Sequence, residues 1–235
     1  MIELKEITKK KNKYFLEFDT ETLEVFEEVI IEFMLLKNRL IDDSEYKKIK
    51  AYAKYIDTLH LAIDYVKKPK TIKEVKDYLY KLNIYDKNVI NKLIDMGMLN
   101  DKMYASMYAD YQARINLKGP KLIKKELELK GVEFDFEYPY YEENMKKLID
   151  RFLKNNKDKP TKLLNYNLNI YLINKGYDKV DEYFYNDDEA LIKKEIEKLK
   201  KTIKIIDNKA KIKLYNKLIQ KGYDSSLIRE YLDKL

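Results

Sequence analysis

The tetrapeptide Lys175-Gly176-Tyr177-Asp178 recurs as Lys221-Gly222-Tyr223-Asp224, 46 residues later. Lys130-Gly131 lies 45 residues before Gly176, and Asn83 lies 48 residues before Gly131. Glycine, and after it asparagine, is the residue that most readily takes the left-handed backbone at which helices stop. Stops at such a period mark a repeat array. Each unit reads as a long helix, a break, a second helix ending in the stop, and a third helix. The breaks fall at 67–70, 116–119, 155–160 and 206–208. Asp86, Asp178 and Asp224 follow three of the stops and are expected to cap the third helix; the second unit has Glu133 instead. The expected fold is mainly α. Tandem three-helix repeats stack into an elongated, curved array, each burying its apolar face on its neighbours. The expected units are 42–98, 99–141, 142–186 and 187–235, after an N-terminal appendage at 1–41.

That appendage carries the main departure from helical periodicity. Ile2, Leu4 and Ile7 alternate with polar residues, and the stretch 14–18 alternates again after Lys10-Lys11-Asn12-Lys13. Two short strands joined at Lys11-Asn12 follow, a small β-hairpin. Residues 19–40 fit a helix or a strand equally well. From Asp42 onward the pattern is helical. Tyr52, Ile56, Leu59, Ile63 and Val66 recur at helical spacing, and Thr71 with Glu74 reads as a capping box. The segment 134–141 is aromatic and acidic and contains Pro139, so the third helix of the second unit could be short or replaced by an extended linker.

The middle of the chain is the basic part. Residues 1–66 carry 11 basic and 14 acidic groups, residues 67–131 carry 15 against 8, and the overall net charge is +7. A basic patch suits an anionic partner. Only Arg39, Arg114, Arg151 and Arg229 among the 48 basic residues are arginine, and the chain has 22 tyrosines. That points to a coding bias, so most tyrosines are expected in helix packing. Within 99–131, Asn100 or Asp101 can cap a helix in which Met103, Tyr104, Met107, Tyr108 and Tyr111 share one face, the first apolar stripe of a helical hairpin. Gly119-Pro120 punctuates the chain, with Pro120 suited to the first turn of the next helix. Leu122, Ile123 and Leu127 give the second stripe, and Gly131 the stop. Lys118, Lys121, Lys124 and Lys125 lie along the start of the second helix and form a basic edge.

Several kinds of chemistry lack their residues. There is no cysteine, which excludes disulfides, thiol catalysis and thiolate metal sites. No phosphate-cradling Gly-rich loop is present. The single histidine, His60, has no second histidine to share a metal and reads as a packing or surface residue. Asp42-Asp43, Glu142-Glu143 and Asp187-Asp188 precede helical patterns, where acids favour the positive helix end. No signal peptide or membrane-spanning run is evident. The reading is a non-catalytic binding protein of the cytoplasm, monomeric, without metal or cofactor.

Within residues 71–132 stand, in order, Met96-Gly97-Met98-Leu99-Asn100-Asp101, Tyr104-Ala105, Tyr108, Arg114, the run Gly119-Pro120-Lys121-Leu122-Ile123-Lys124-Lys125-Glu126-Leu127, and Lys130-Gly131-Val132. In this order and spacing the stretch resembles the RecX family of RecA regulators. Asn100 stands where aspartate is usual. Lys121 and Lys124 stand where arginine is common, which keeps the charge and loses planar bidentate contacts. The resemblance implies tandem three-helix repeats. It also implies a function: binding in the groove of the RecA–DNA filament and modulating or inhibiting recombinase and ATPase activity in repair and recombination. On that reading Arg114, Lys118, Lys121, Lys124, Lys125 and Lys130 contact RecA or DNA, single- or double-stranded. Asp101, Tyr104, Tyr108, Gly119, Pro120, Leu127 and Gly131 hold the motif together. Two alternatives stay open: a helical-repeat nucleic-acid binder acting without RecA, and an adaptor whose apolar groove holds a partner helix.

Overall fold

The structure is a computed structural model that describes residues 1–201 and 208–234. The chain forms two compact units. The first comprises residues 1–105 and 129–132, the second residues 106–128 and 133–235.

The first unit begins with a four-stranded antiparallel sheet. Its strands are β1 (Ile2–Lys10), β2 (Lys13–Phe18), β3 (Thr22–Val25) and β4 (Arg39–Ile41), in the order β3-β2-β1-β4. The hairpin expected from alternation is present, with Lys10 opposite Lys13. It is the centre of a larger sheet. The ambiguous stretch 19–40 supplies strand, helix and strand: β3, then α1 (Glu27–Glu32), then β4. One face of the sheet is apolar and lies on a long helix, α2 (Asp43–Tyr65). Leu4, Leu16, Val25 and Ile41 share one buried cluster with Ile49, Ala53 and Ile56.

Helix α2 starts at Asp42, whose carboxylate accepts the Glu45 N–H at 2.8 Å. Helix α3 (Ile72–Lys81) starts with the expected capping box. Thr71 Oγ1 accepts the Glu74 N–H and Glu74 accepts the Thr71 N–H. Asn83 is left-handed at φ 56°, and Asp86 caps α4 (Lys87–Asp95). His60 stacks on Phe26 with ring centroids 3.8 Å apart and meets Glu28 at 2.9 Å.

Helix α5 (Asp101–Arg114) passes from the first unit into the second. Helix α6 (Pro120–Leu129) follows. The second unit continues with α7 (Tyr141–Asn155), α8 (Thr161–Asn174), α9 (Asp188–Lys200), α10 (Asn208–Gln220) and α11 (Ser225–Asp233). Gly131, Gly176 and Gly222 are all left-handed, at φ 76°, 88° and 90°. The expected breaks at 67–70, 116–119 and 155–160 separate helices. Of the break at 206–208, residues 206 and 207 lie outside the described residues.

The three-helix pattern is complete at 42–98 and 187–235 but not between them. No helix follows Gly131 or Gly176 before α7 and α9 begin. Asp178 therefore caps nothing, contrary to the expectation. The physical reason lies in α8. Asn165 accepts the Phe184 N–H at 2.9 Å and donates to the Phe184 carbonyl at 2.7 Å, and Asn169 accepts the Val180 N–H at 2.9 Å. Side-chain amides thus satisfy backbone groups that a helix would satisfy internally.

Helix α5 also departs from the sequence pattern. Its buried residues are Ala105, Ala109 and Ala113, while Met103, Met107 and Tyr111 are each more than half exposed. The large side chains recur at helical spacing, but the smallest ones face inward. Small residues allow neighbouring backbone to approach closely, and periodicity alone does not say which of two apolar faces is covered.

Candidate partner-binding surface

The motif stretch 99–132 divides between the two units. In the first unit, Asn100 caps α5 by accepting the Met103 N–H at 2.9 Å. Asp101 instead accepts the N–H of Ile72, the first residue of α3, at 2.8 Å. Burial holds the Asp101 carboxyl above its ordinary pKa, against the opposing pull of that N–H. The end of α6 meets the same helix start. Thr71 Oγ1 donates to the Lys130 carbonyl at 3.0 Å, and Lys73 Nζ donates to the Leu129 carbonyl at 3.0 Å. Gly131 stands so close to Lys73 that a Cβ would lie 2.7 Å from its Cδ.

Lys130 Nζ lies 2.7 Å from Glu74 and 5.6 Å from the ring centre of Tyr104. The hydrogen bond to Glu74 leads in raising the lysine's pKa well above its usual value. Burial pushes the Glu74 carboxyl up, but the Lys130 ammonium and the Thr71 N–H outweigh it and leave it low. This lysine is engaged within its own fold.

In the second unit the same stop-on-start contact recurs, backbone to backbone. The Gly119 N–H donates to the Lys175 carbonyl at 2.6 Å, and the Lys121 N–H donates to the Gly176 carbonyl at 3.2 Å. Open carbonyls at the end of α8 thus meet open N–H groups at the start of α6, with helix dipoles favourably opposed. A Cβ on Gly119 would lie 2.4 Å from Gly176 O, and one on Gly176 would lie 2.5 Å from Leu122 N. Gly222 likewise approaches the start of α8, there against the Leu163 side chain, with a Cβ 2.9 Å from Leu163 Cβ. Pro120 opens α6, where no N–H is needed, and Ile123 and Leu127 are its buried residues.

The remaining motif residues have defined partners. Glu126 takes both the Tyr108 hydroxyl at 2.9 Å and the Lys118 ammonium at 2.5 Å. Lys121 pairs with Asp178. Lys124 lies 3.5 Å from Asp135, whose carboxylate is almost fully exposed. Arg114 makes a single 3.5 Å contact with Asp110 one turn back, so its planar fork is not used inside the fold. Lys125 is exposed and forms no ion pair among the described residues.

The structure thus sorts the six basic residues. Lys118 and Lys130 sit in half-buried pairs; Arg114, Lys121, Lys124 and Lys125 face solvent. Sequence reasoning did not find Glu126, Asp135 or Asp178 as partners, because nothing local ties them to their lysines. Glu74 carried a signal as part of the capping box, and Asp178 and Glu126 stood in motifs, but none of these signals pointed to a lysine. No group of residues that could hold a metal ion occurs among the described residues. Nor is any described helix long and apolar enough to cross a membrane.

No family model matches the chain. Curated relatives match it along its whole length. A regulatory protein RecX of Streptococcus uberis is 34% identical, with all of both chains covered. One of Streptococcus gordonii is 31% identical over 98% of this chain and all of its own. One of Listeria welshimeri is 29% identical over 95% of this chain and 92% of its own. Among solved structures, a crystal structure of a regulatory protein RecX is similar in fold, with a TM-score of 0.51 and 18% identity over all of both chains.

Proposed function

The chain belongs to the RecX family of regulatory proteins, and from that premise we propose that it binds the RecA–DNA filament and restrains its recombinase and ATPase activity. It does so as a cytoplasmic monomer, by binding alone, without metal or cofactor. The observation that carries this reading is the basic edge of α6. Lys124 and Lys125 project from the most basic third of the chain, within the stretch that bears the family motif, and neither is committed to a buried partner. Arg114 keeps its guanidinium available for a carboxylate or phosphate. Lys118 and Lys130 are held in half-buried pairs with Glu126 and Glu74.

The test is the DNA-dependent ATPase of RecA in the presence of the wild-type chain and of Lys124→Glu with Lys125→Glu. Inhibition should be lost while helicity by circular dichroism is unchanged. Full inhibition by a folded double variant would remove these lysines from the site. Lys121→Glu is best measured separately, because it sets a second acid against Asp178 beside the Gly119–Gly176 contact. DNA binding without any effect on RecA would favour the nucleic-acid reading, and its affinity would fall with salt at a slope near −0.9 per phosphate neutralised.

A further inference from the structure

Residues 133–139, between the Gly131 stop and α7, form the extended stretch that stands where a third helix was expected. Exposure alternates strictly along it. Glu133, Asp135, Glu137 and Pro139 are exposed, while Phe134, Phe136, Tyr138 and the following Tyr140 are half-buried. Ring contacts between Phe136 and Tyr138, and between Tyr138 and Tyr140, place alternate side chains on one face, as in a strand. That face is anchored. Tyr138 Oη donates to the Lys118 carbonyl, and Tyr140 Oη donates to Asp110 at 3.0 Å.

The backbone of the same stretch is uncommitted. No N–H or C=O of residues 133–139 forms a hydrogen bond among the described residues. The corresponding stretch after Gly176 differs. There the Val180, Phe184 and Asn186 N–H groups donate to Asn169, Asn165 and Thr161 of α8. In the register that matches Lys121 to Lys162, α6 carries Glu128, Lys124 and Pro120 at those three positions. None of them closes the backbone. Pro120 has no polar side chain, Glu128 is exposed, and Lys124 reaches the Asp135 carboxylate instead. One extended stretch is tied to its helix by the main chain; the other is held by side chains with its main chain open.

Backbone and charge together select the partner. An extended chain presents N–H and C=O groups alternately along an edge, a pattern that another extended chain matches group for group. Side chains on paired strands stand about 4.5–5.5 Å from those opposite. Glu133, Asp135 and Glu137 therefore favour basic residues at every second position of a pairing strand. They repel phosphates, and they repel a second copy of the same acidic stretch. The partner's intervening side chains would point to the aromatic face. A groove of about 440 Å³ lies there between the segment and α5, lined on the helix by Ser106, Ala109 and Ala113. Those side chains are small, so the groove suits apolar residues of modest size.

We propose that residues 133–139 are an open β-edge that takes, by strand addition, an extended peptide segment in which basic and apolar residues alternate. The edge does not depend on the RecA reading and uses neither Lys124 nor Lys125. Water can satisfy an exposed backbone, and like charges along an edge can serve only to keep edges apart. The experiment separates both roles from pairing.

The probe is the peptide acetyl-Lys-Val-Lys-Val-Lys-Val-amide, and acetyl-Lys-Lys-Lys-Val-Val-Val-amide is a control of equal composition and charge. Binding of each to the full chain is measured by fluorescence anisotropy, and amide hydrogen exchange is read at residues 133–138. The alternating peptide should bind more tightly than the control. At about ten times its Kd it should slow exchange about tenfold at one alternate set of amides, either 133, 135 and 137 or 134, 136 and 138. Glu133→Lys/Glu137→Lys turns two opposite-charge pairs into like-charge pairs and should weaken that binding about fivefold or more. It leaves the Asp135 contact with Lys124 in place. Equal affinity for the two peptides would report charge attraction alone and overturn the proposal. Exchange unslowed at both sets would leave the edge to water and overturn it too. So would protection that grows with protein concentration in the absence of peptide, which would assign the edge to a second copy of the chain.

Discussion

Gly176→Ala tests the stop-on-start contact directly. Two costs are expected there. The residue is left-handed at φ 88°, which costs an L side chain about 1–2 kcal/mol. The new Cβ would also stand 2.5 Å from Leu122 N and 2.9 Å from Gly119 O. Both are backbone atoms at the start of α6, which cannot swing aside as a side-chain end can. Overpacking of this kind costs about 1–3 kcal/mol. The sum is about 2–5 kcal/mol, drawn from the unit in which the glycine lies. Gly97 supplies the control. It too is left-handed, at φ 71°, yet a Cβ there meets nothing within 4 Å. Gly97→Ala should therefore cost only the conformational part. The assay is native-state hydrogen exchange read at the Gly119 and Lys121 amides, together with urea unfolding. Gly176→Ala should accelerate exchange at both amides, since they donate to the Lys175 and Gly176 carbonyls, and Gly97→Ala should leave both unchanged. Equal destabilisation by the two variants, with protection at Gly119 retained, would refute the close-approach argument.

Two further outcomes follow from the same surface. Glu74→Gln keeps the acceptor of the capping box and removes the charge facing Lys130. Because the folded state holds the Glu74 carboxyl below 4.5, its charge stabilises above that pH and is lost as pH falls through the folded value. The urea-unfolding gap between wild type and variant should therefore shrink below about pH 4.5, and a gap constant from pH 7 to pH 3 would contradict this. Tyr138→Phe removes a hydroxyl that donates to the Lys118 carbonyl, meets Tyr177 Oη at 2.8 Å and accepts from Asn144 at 3.2 Å. The loss should be about 1–3 kcal/mol, with a changed near-ultraviolet tyrosine signal; unchanged stability would show that the hydroxyl is not needed to anchor the 133–140 segment.

Much of the frame could be read from the chain because its signals are local. Asn83, Gly131, Gly176 and Gly222 mark helix stops through their own backbone preferences, and Thr71, Asp86 and Asp224 cap helices within three residues of themselves. What escaped depends on distant groups. The extended stretch after Gly176 is held by Asn165 and Asn169, on a helix already complete before it. The inward face of α5 is set by what covers Ala105, Ala109 and Ala113, which no periodicity reports. The sheet is larger than a hairpin because 3-to-6-residue pieces at 22–41 are too short to show a period. The lysine partners escaped for the same reason: Lys121 and Asp178 are 57 residues apart.

The repeated motif has a physical account that needs no partner. Its glycine gives the left-handed stop and permits the next backbone to approach. The tyrosine after it is buried in both copies, at Tyr177 and Tyr223, and Val132 is buried at the corresponding place after Gly131. The aspartate is the first member free to differ: Asp178 meets Lys121, whereas Asp224 caps α11. Recognition must therefore be sought where corresponding exposed positions diverge. Along the starts of α6 and α8, Lys121 and Leu122 match Lys162 and Leu163, but Lys125 faces solvent where α8 presents Tyr166. Lys125 and Tyr166 are both exposed, so packing does not choose between lysine and tyrosine at this position. That divergence is consistent with selection by something outside the fold, and it falls on one of the two lysines that the RecA reading depends on.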